Sequence, residues 1–211
     1  MIYRYGNFLR KIKRFCRGII FLLSWLLLEK PRGLDFSLRS KFNLTDGYHG
    51  YAMTSRSALE NIAQFAPIEG TNFLDIGSGK GAVVVNAIRI GAKSATGIEF
   101  NEKLHNIAVQ NFRVLKQQDV AKSINADALQ FEEYNKYNYY FLFNPFDSDV
   151  YSKVISRILD QTSGSPQIRV LVCYGDSNLK FLYSQSRLKL THSSVCPFRL
   201  NEINIFIMDQ G

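Results

Sequence analysis

Thr71-Asn-Phe-Leu-Asp-Ile-Gly-Ser-Gly-Lys-Gly81 is a short apolar run with an acid at Asp75 and three glycines in its last five residues, and Ala82 to Ile90 follow at helical spacing. A strand that ends in a glycine-rich turn and passes into a helix is the opening unit of a parallel α/β sheet. Gly77, Gly79 and Gly81 there let backbone approach a ligand closely. The turn alone leaves two readings, because Gly77-Ser-Gly79-Lys-Gly81-Ala82 also satisfies the GxGxxG/A fingerprint of dinucleotide binding. Asp75 separates them. A carboxylate two residues before the first glycine would repel a pyrophosphate and pair with an ammonium group.

The next unit repeats the logic. Ser94-Ala-Thr-Gly-Ile-Glu99 reads as a strand ending in an acid 18 residues beyond Gly81, near the spacing at which a carboxylate takes the two ribose hydroxyls. Beyond it the pattern predicts a helix over 101–115, strands over 121–125 and 139–143, a helix over 148–159 and a strand over 168–173. This βα alternation implies a parallel sheet. The tail differs: 187–195 and 203–208 are strand-like with a short loop between them, which makes that pair antiparallel and puts a reversed strand into the sheet.

Four motifs in order resemble those of the class I S-adenosylmethionine-dependent methyltransferases. Leu74-Asp-Ile-Gly-Ser-Gly-Lys-Gly81 looks like their first motif and Gly97-Ile-Glu-Phe100 like their second. Asn125-Ala-Asp127-Ala128 falls where the family sets an acid near the adenine amino group, and Tyr139-Tyr-Phe-Leu-Phe-Asn-Pro-Phe146 falls beside the transferring methyl. The resemblance implies a Rossmann-like seven-stranded, mostly parallel sheet with a C-terminal antiparallel strand and helices on both faces, running from about Phe42 to Gly211. It implies S-adenosylmethionine as cofactor, held by Asp75, Gly77, Gly79, Gly81, Glu99 and Asp127. The family often folds its amino-terminal segment over the cofactor, which adds Thr54 and Ser55 from Asp46-Gly-Tyr-His-Gly-Tyr-Ala-Met-Thr-Ser55.

Each residue also has a structural reading. Asp75 can cap the following helix, Glu99 can be a solvated strand end, and Asp127 can be the N-cap of a short helix from Ala128. Thr54 or Ser55 can cap a helix over 56–65, and Gly91 reads as a helix stop. Asn144 is the candidate for orienting an amine toward the methyl, because its carbonyl accepts hydrogen bonds from a nucleophilic nitrogen. The amino-methylating branch resembled carries a second proline where Phe146 stands, and Asn144-Pro145-Phe146 with Asp147 can equally be a strand-to-helix turn. His49 is the candidate general base. His105 and His192 have no partner spacing, so no metal is implied.

At 211 residues, 46% apolar and 21% charged, the chain is a globular protein of about one domain, neither disordered nor multi-pass. Three scattered cysteines suggest no disulfide framework and a reducing compartment. The net charge of +8 divides unevenly: residues 1–32 carry eight basic side chains against Glu29 alone, leaving 18 basic and 17 acidic for 33–211. The body is nearly neutral, which argues against nucleic acid as a partner.

Residues 8–28 form a basic amphipathic stripe that merges into the apolar block Ile19 to Leu28. Ten helical residues rise about 15 Å, half a hydrocarbon core. A signal peptide would need small residues at a cleavage site, and Glu29-Lys-Pro-Arg32 lacks them. Two readings stay open: a helix lying on an anionic membrane surface, or one packed on protein. The expectation is therefore an amino-terminal helix over 1–32 and a methyltransferase domain over 33–211, in the cytoplasm and peripheral to the inner face of the membrane. The acceptor would be a protein lysine or other amine, or else a membrane-linked sugar or lipid intermediate. The competing classes are a non-catalytic nucleotide-binding or scaffold protein and a nicotinamide-dependent oxidoreductase.

Overall fold

The computed structural model describes residues 30–36, 53–175, 179–197 and 201–209. Residues 1–29 of the expected amino-terminal helix, His49 and the rest of the 42–52 segment lie outside them. No described helix is long and apolar enough to cross a membrane.

Seven strands form one sheet: β1 (Asn72–Ile76), β2 (Ser94–Glu99), β3 (Ala121–Asn125), β4 (Tyr139–Phe143), β5 (Arg169–Tyr174), β6 (Leu188–Val195) and β7 (Glu202–Met208). Their spatial order is β3-β2-β1-β4-β5-β7-β6. β1 to β5 pair in parallel, whereas β7 runs antiparallel to both β5 and β6. β7 is the expected reversed strand. The order reverses between β1 and β4, and in an open α/β sheet the crevice at such a point, beyond the carboxyl ends of the strands, is where ligands bind.

The inner strands read as unbroken apolar runs because both faces are covered. On one face Phe73, Tyr139, Phe141, Val172 and Ile205 pack under α1 (Arg56–Ala63), α2 (Ala82–Ile90) and α3 (Glu102–Val114). On the other, Leu74, Ile76, Tyr140, Leu142 and Phe206 pack under α4 (Ser148–Gln161) and α5 (Leu179–Ser184). β1 therefore sends Phe73 to one layer and Leu74 and Ile76 to the other, with Asp75 the acid in an otherwise apolar run.

Capping residues set the helix boundaries. Ser55 Oγ accepts from Ala58 N–H and starts α1; Asn101 Oδ1 accepts from Lys103 and Leu104 N–H and starts α3; Asp147 accepts from Val150 N–H and starts α4. Gly91, left-handed at φ 111°, ends α2. α1 stops at Ala63 rather than Phe65, and α5 falls where the sequence pattern sets no helix. Asp127 starts no helix: its carboxylate accepts from Leu129 N–H at 2.8 Å across a turn.

Candidate functional site

Three strand ends meet at the crevice. The turn after β1 is tied to β2, because Gly77 and Ser78 N–H both donate to the Ile98 carbonyl at 2.9 Å. Gly77, Gly79 and Gly81 all take left-handed backbone, at φ 81°, 55° and 79°, so an L side chain at any of them is strained. Close packing adds to this at two positions. A Cβ on Gly77 would lie 2.7 Å from Pro145 Cβ, and one on Gly81 would lie 2.6 Å from the Phe112 ring. The glycine turn thus lies directly against the Asn144-Pro145 turn at the end of β4.

Glu99 is 9% exposed and faces the glycine turn. Its Oε2 accepts from Gly79 N–H at 2.7 Å and its Oε1 from Asn101 N–H at 2.8 Å. It is therefore no solvated strand end; it holds the turn, and each oxygen keeps a further lone pair for a ligand hydroxyl. Asn125 braces the same place from β3, its Nδ2 donating to the Glu99 and Phe100 carbonyls at 2.8 and 3.1 Å. Ala126 N–H donates to the Glu99 carbonyl at 3.2 Å, which sets Asp127 one residue from the Glu99 bend.

Asp75 is 3% exposed, and no hydrogen bond or ion pair to its carboxylate occurs among the described residues. Burial first, and the Glu99 charge second, raise its pKa well above the ordinary carboxylate value. Burial also raises Glu99 against the opposing effect of its two amide bonds. The folded protein thus holds protons that the unfolded chain has released in the window from about pH 4 up to the raised values. Stability contributed by Asp75 is consequently expected to fall as pH rises through that window. Thermal melts of wild type and Asp75→Asn across this range check it: the variant should gain on wild type as pH rises, and a constant difference would contradict the burial argument.

Asn144 takes φ 40°, one of two non-glycine residues with positive φ among those described. Asn tolerates this conformation better than most residues, so the turn reading explains the residue type as well as a chemical role does. Its Cβ lies 3.2 Å from where a Cβ on Gly175 would stand, which puts it between the ends of β4 and β5. Ser55 and Thr54 divide. The Ser55 hydroxyl is engaged in its cap, and Thr54, 1% exposed, buries an Oγ1 with no hydrogen-bond partner among the described residues. No hydrogen bond among the described residues joins either to the glycine turn.

Sequence reasoning passed over three features. Phe100, 48% exposed, directly follows the strand-end acid. Asn111 sits in the apolar stripe Leu104, Ala108, Asn111, Phe112 and is itself buried; a carboxamide at a core position was the signal. Lys80 is a lysine inside a glycine turn and is 1% exposed.

A seven-stranded sheet with a reversed β7, a glycine turn after β1 and acids ending β1 and β2 defines the class I S-adenosylmethionine-dependent methyltransferase fold. Solved structures bear out the fold. An RNA methyltransferase from Salinibacter ruber in complex with S-adenosyl-L-homocysteine is 16% identical with a TM-score of 0.61, over 76% of this chain and 95% of that one. The putative methyltransferase yhhF from Escherichia coli is 19% identical with a TM-score of 0.60, over 74% and 88%. Magnesium protoporphyrin IX methyltransferase from Synechocystis with bound S-adenosylmethionine is 16% identical with a TM-score of 0.56, over 73% and 78%. The model of the family described as Conserved hypothetical protein 95 matches residues 53–192, and the chain belongs to that family. No curated protein matches.

Proposed function

We propose that the protein is an S-adenosylmethionine-dependent methyltransferase whose acceptor presents an amine. The observation that carries this reading is Asp75: a buried carboxylate without a partner among the described residues, beside Glu99, at the foot of a glycine turn. Two acids in one low-dielectric pocket suit a cation and would repel a pyrophosphate. The ammonium of the methionine moiety fits Asp75, the ribose hydroxyls fit Glu99, and the left-handed turn lets backbone N–H groups approach without side-chain obstruction. The bound cofactor supplies an electrophilic methyl on a sulfonium. The chain's own contribution is placement. Asp75 and Glu99 fix the two ends of the cofactor, and Asn144 holds the acceptor nitrogen in line.

An amine acceptor is favoured by Asn144 and by the carbonyls of its turn, which accept from N–H groups and direct the lone pair. The near-neutral charge of 33–211 does not exclude nucleic acid, since RNA methyltransferases are among the proteins of this fold. A base amine therefore joins a protein lysine or other amine, and a membrane-linked sugar or lipid intermediate, among the acceptors to be tried. Incubating labelled S-adenosylmethionine with RNA, soluble and membrane fractions of the source cell identifies which molecule gains the label. With that acceptor, Asn144→Ala is expected to keep cofactor affinity within a few-fold and to lower turnover by about 10- to 100-fold, because the lost interaction acts on the nucleophile. Turnover equal to wild type would reduce Asn144 to a turn residue.

A further inference from the structure

Residues 30–36 precede the family-matched region, yet they are fastened to the glycine turn itself. Lys30–Arg32 form a single 3-10 turn, closed by Gly33 N–H donating to the Lys30 carbonyl. Phe36 packs against the core layer under α1–α3. Between them, Asp35 bonds to both α3 and the glycine turn. Its N–H donates to Asn111 Oδ1 at 2.9 Å, its carbonyl accepts from Asn111 Nδ2 at 3.0 Å, and its carboxylate pairs with Lys80 Nζ at 2.8 Å. The Asn111 amide also donates to the Lys80 carbonyl at 3.0 Å. One buried carboxamide and one buried ammonium thereby join the turn to a residue 45 positions upstream.

We propose that Asp35 is a positioning residue for the cofactor turn, so that the segment ahead of the family domain forms part of the cofactor site. Gly77 and Ser78 are held by β2 through the Ile98 carbonyl, and Glu99 accepts from the Gly79 N–H. The second half of the turn, Gly79-Lys80-Gly81, is bounded by glycines whose backbone rotates at little cost. Asn111 and Asp35 hold it at Lys80. Neutralising Asp35 takes the charge assistance from its bond to a buried ammonium and loosens its hold on Lys80, and Lys80 moving outward would take the Gly79 and Gly81 amides with it. The Asp35 side chain is 38% exposed, so the tie can be cut there without opening the core.

The inference rests on the reading that this turn binds S-adenosylmethionine, and the test separates the two. Full-length wild type, Asp35→Asn and Asp35→Glu are compared. Hydrogen exchange on the free protein reads the turn without cofactor. Asp35→Asn is expected to speed exchange of the 79–82 amides at least tenfold, to leave the β4 amides unchanged, and to be largely rescued in Asp35→Glu. Calorimetry is then expected to give at least tenfold weaker S-adenosylmethionine binding for Asp35→Asn. Unchanged exchange at the turn overturns the proposal whatever the cofactor result. Loss of protection spread evenly over the sheet, with a lower melting temperature, marks Asp35 as a general prop and also overturns it. A wild type that is protected at the turn but does not bind S-adenosylmethionine counts against the cofactor reading, and the exchange result still decides the role of Asp35.

Discussion

Gly77→Ala is expected to lose about 2 to 5 kcal/mol, read as lower stability in denaturant and weaker cofactor binding together. A left-handed φ of 81° costs an L residue about 1–2 kcal/mol. A Cβ 2.7 Å from Pro145 Cβ forces a shift that costs about 1–3 kcal/mol more. Pro145 is a rigid ring in the turn that carries Asn144, so the shift disturbs both halves of the site. Gly70→Ala is the control. Its φ is 72°, but no atom lies within 4 Å of the added carbon, so it bears the strain without the clash. Urea unfolding and cofactor titration of the two variants separate the effects. Equal losses would contradict the interlock of Gly77 and Pro145.

Glu99→Ala is expected to have an effect of similar size. The carboxylate accepts from Gly79 and Asn101 N–H, and a buried amide left without an acceptor costs about 1–3 kcal/mol. Its ribose bonds would be charge-assisted, so binding should weaken by about 1.5–3 kcal/mol in addition. Removing Glu99 also removes a negative charge near Asp75, so the Asp75 pKa should fall. Calorimetry and thermal melts of Glu99→Ala measure the binding and stability losses. A variant that melts and binds like wild type would show that Glu99 neither braces the turn nor touches the ligand.

The central strands and the glycine turn were legible because parallel strands buried on both faces leave continuous apolar runs bounded by turns. The bounds of β2, β3, β4 and α2 fall where periodicity sets them. Helix ends moved by one or two residues because fraying depends on local hydrogen bonding. α5 has six residues, too few to display a helical period. Pattern showed that Asn144 ends a strand but carried no information on its φ. The strap through Asp35 was invisible for a different reason: its partners, Lys80 and Asn111, are 45 and 76 residues away, and long-range polar contacts leave no local trace. The acids that end β1 and β2 were found from position alone, but the engagement of Glu99 with Gly79 N–H is a tertiary fact that turns an expected ligand contact into a brace as well.

Calorimetric titration of the full-length protein tests the central claim most directly. S-adenosylmethionine and S-adenosylhomocysteine are expected to bind at one site, with protons released as the ammonium ionises Asp75, and with affinity rising with pH until that group is fully ionised. Proton release is read by repeating the titration in buffers of different ionisation enthalpy, and Asp75→Asn is expected to abolish it. Saturable binding of NAD with no heat from S-adenosylmethionine would contradict the account.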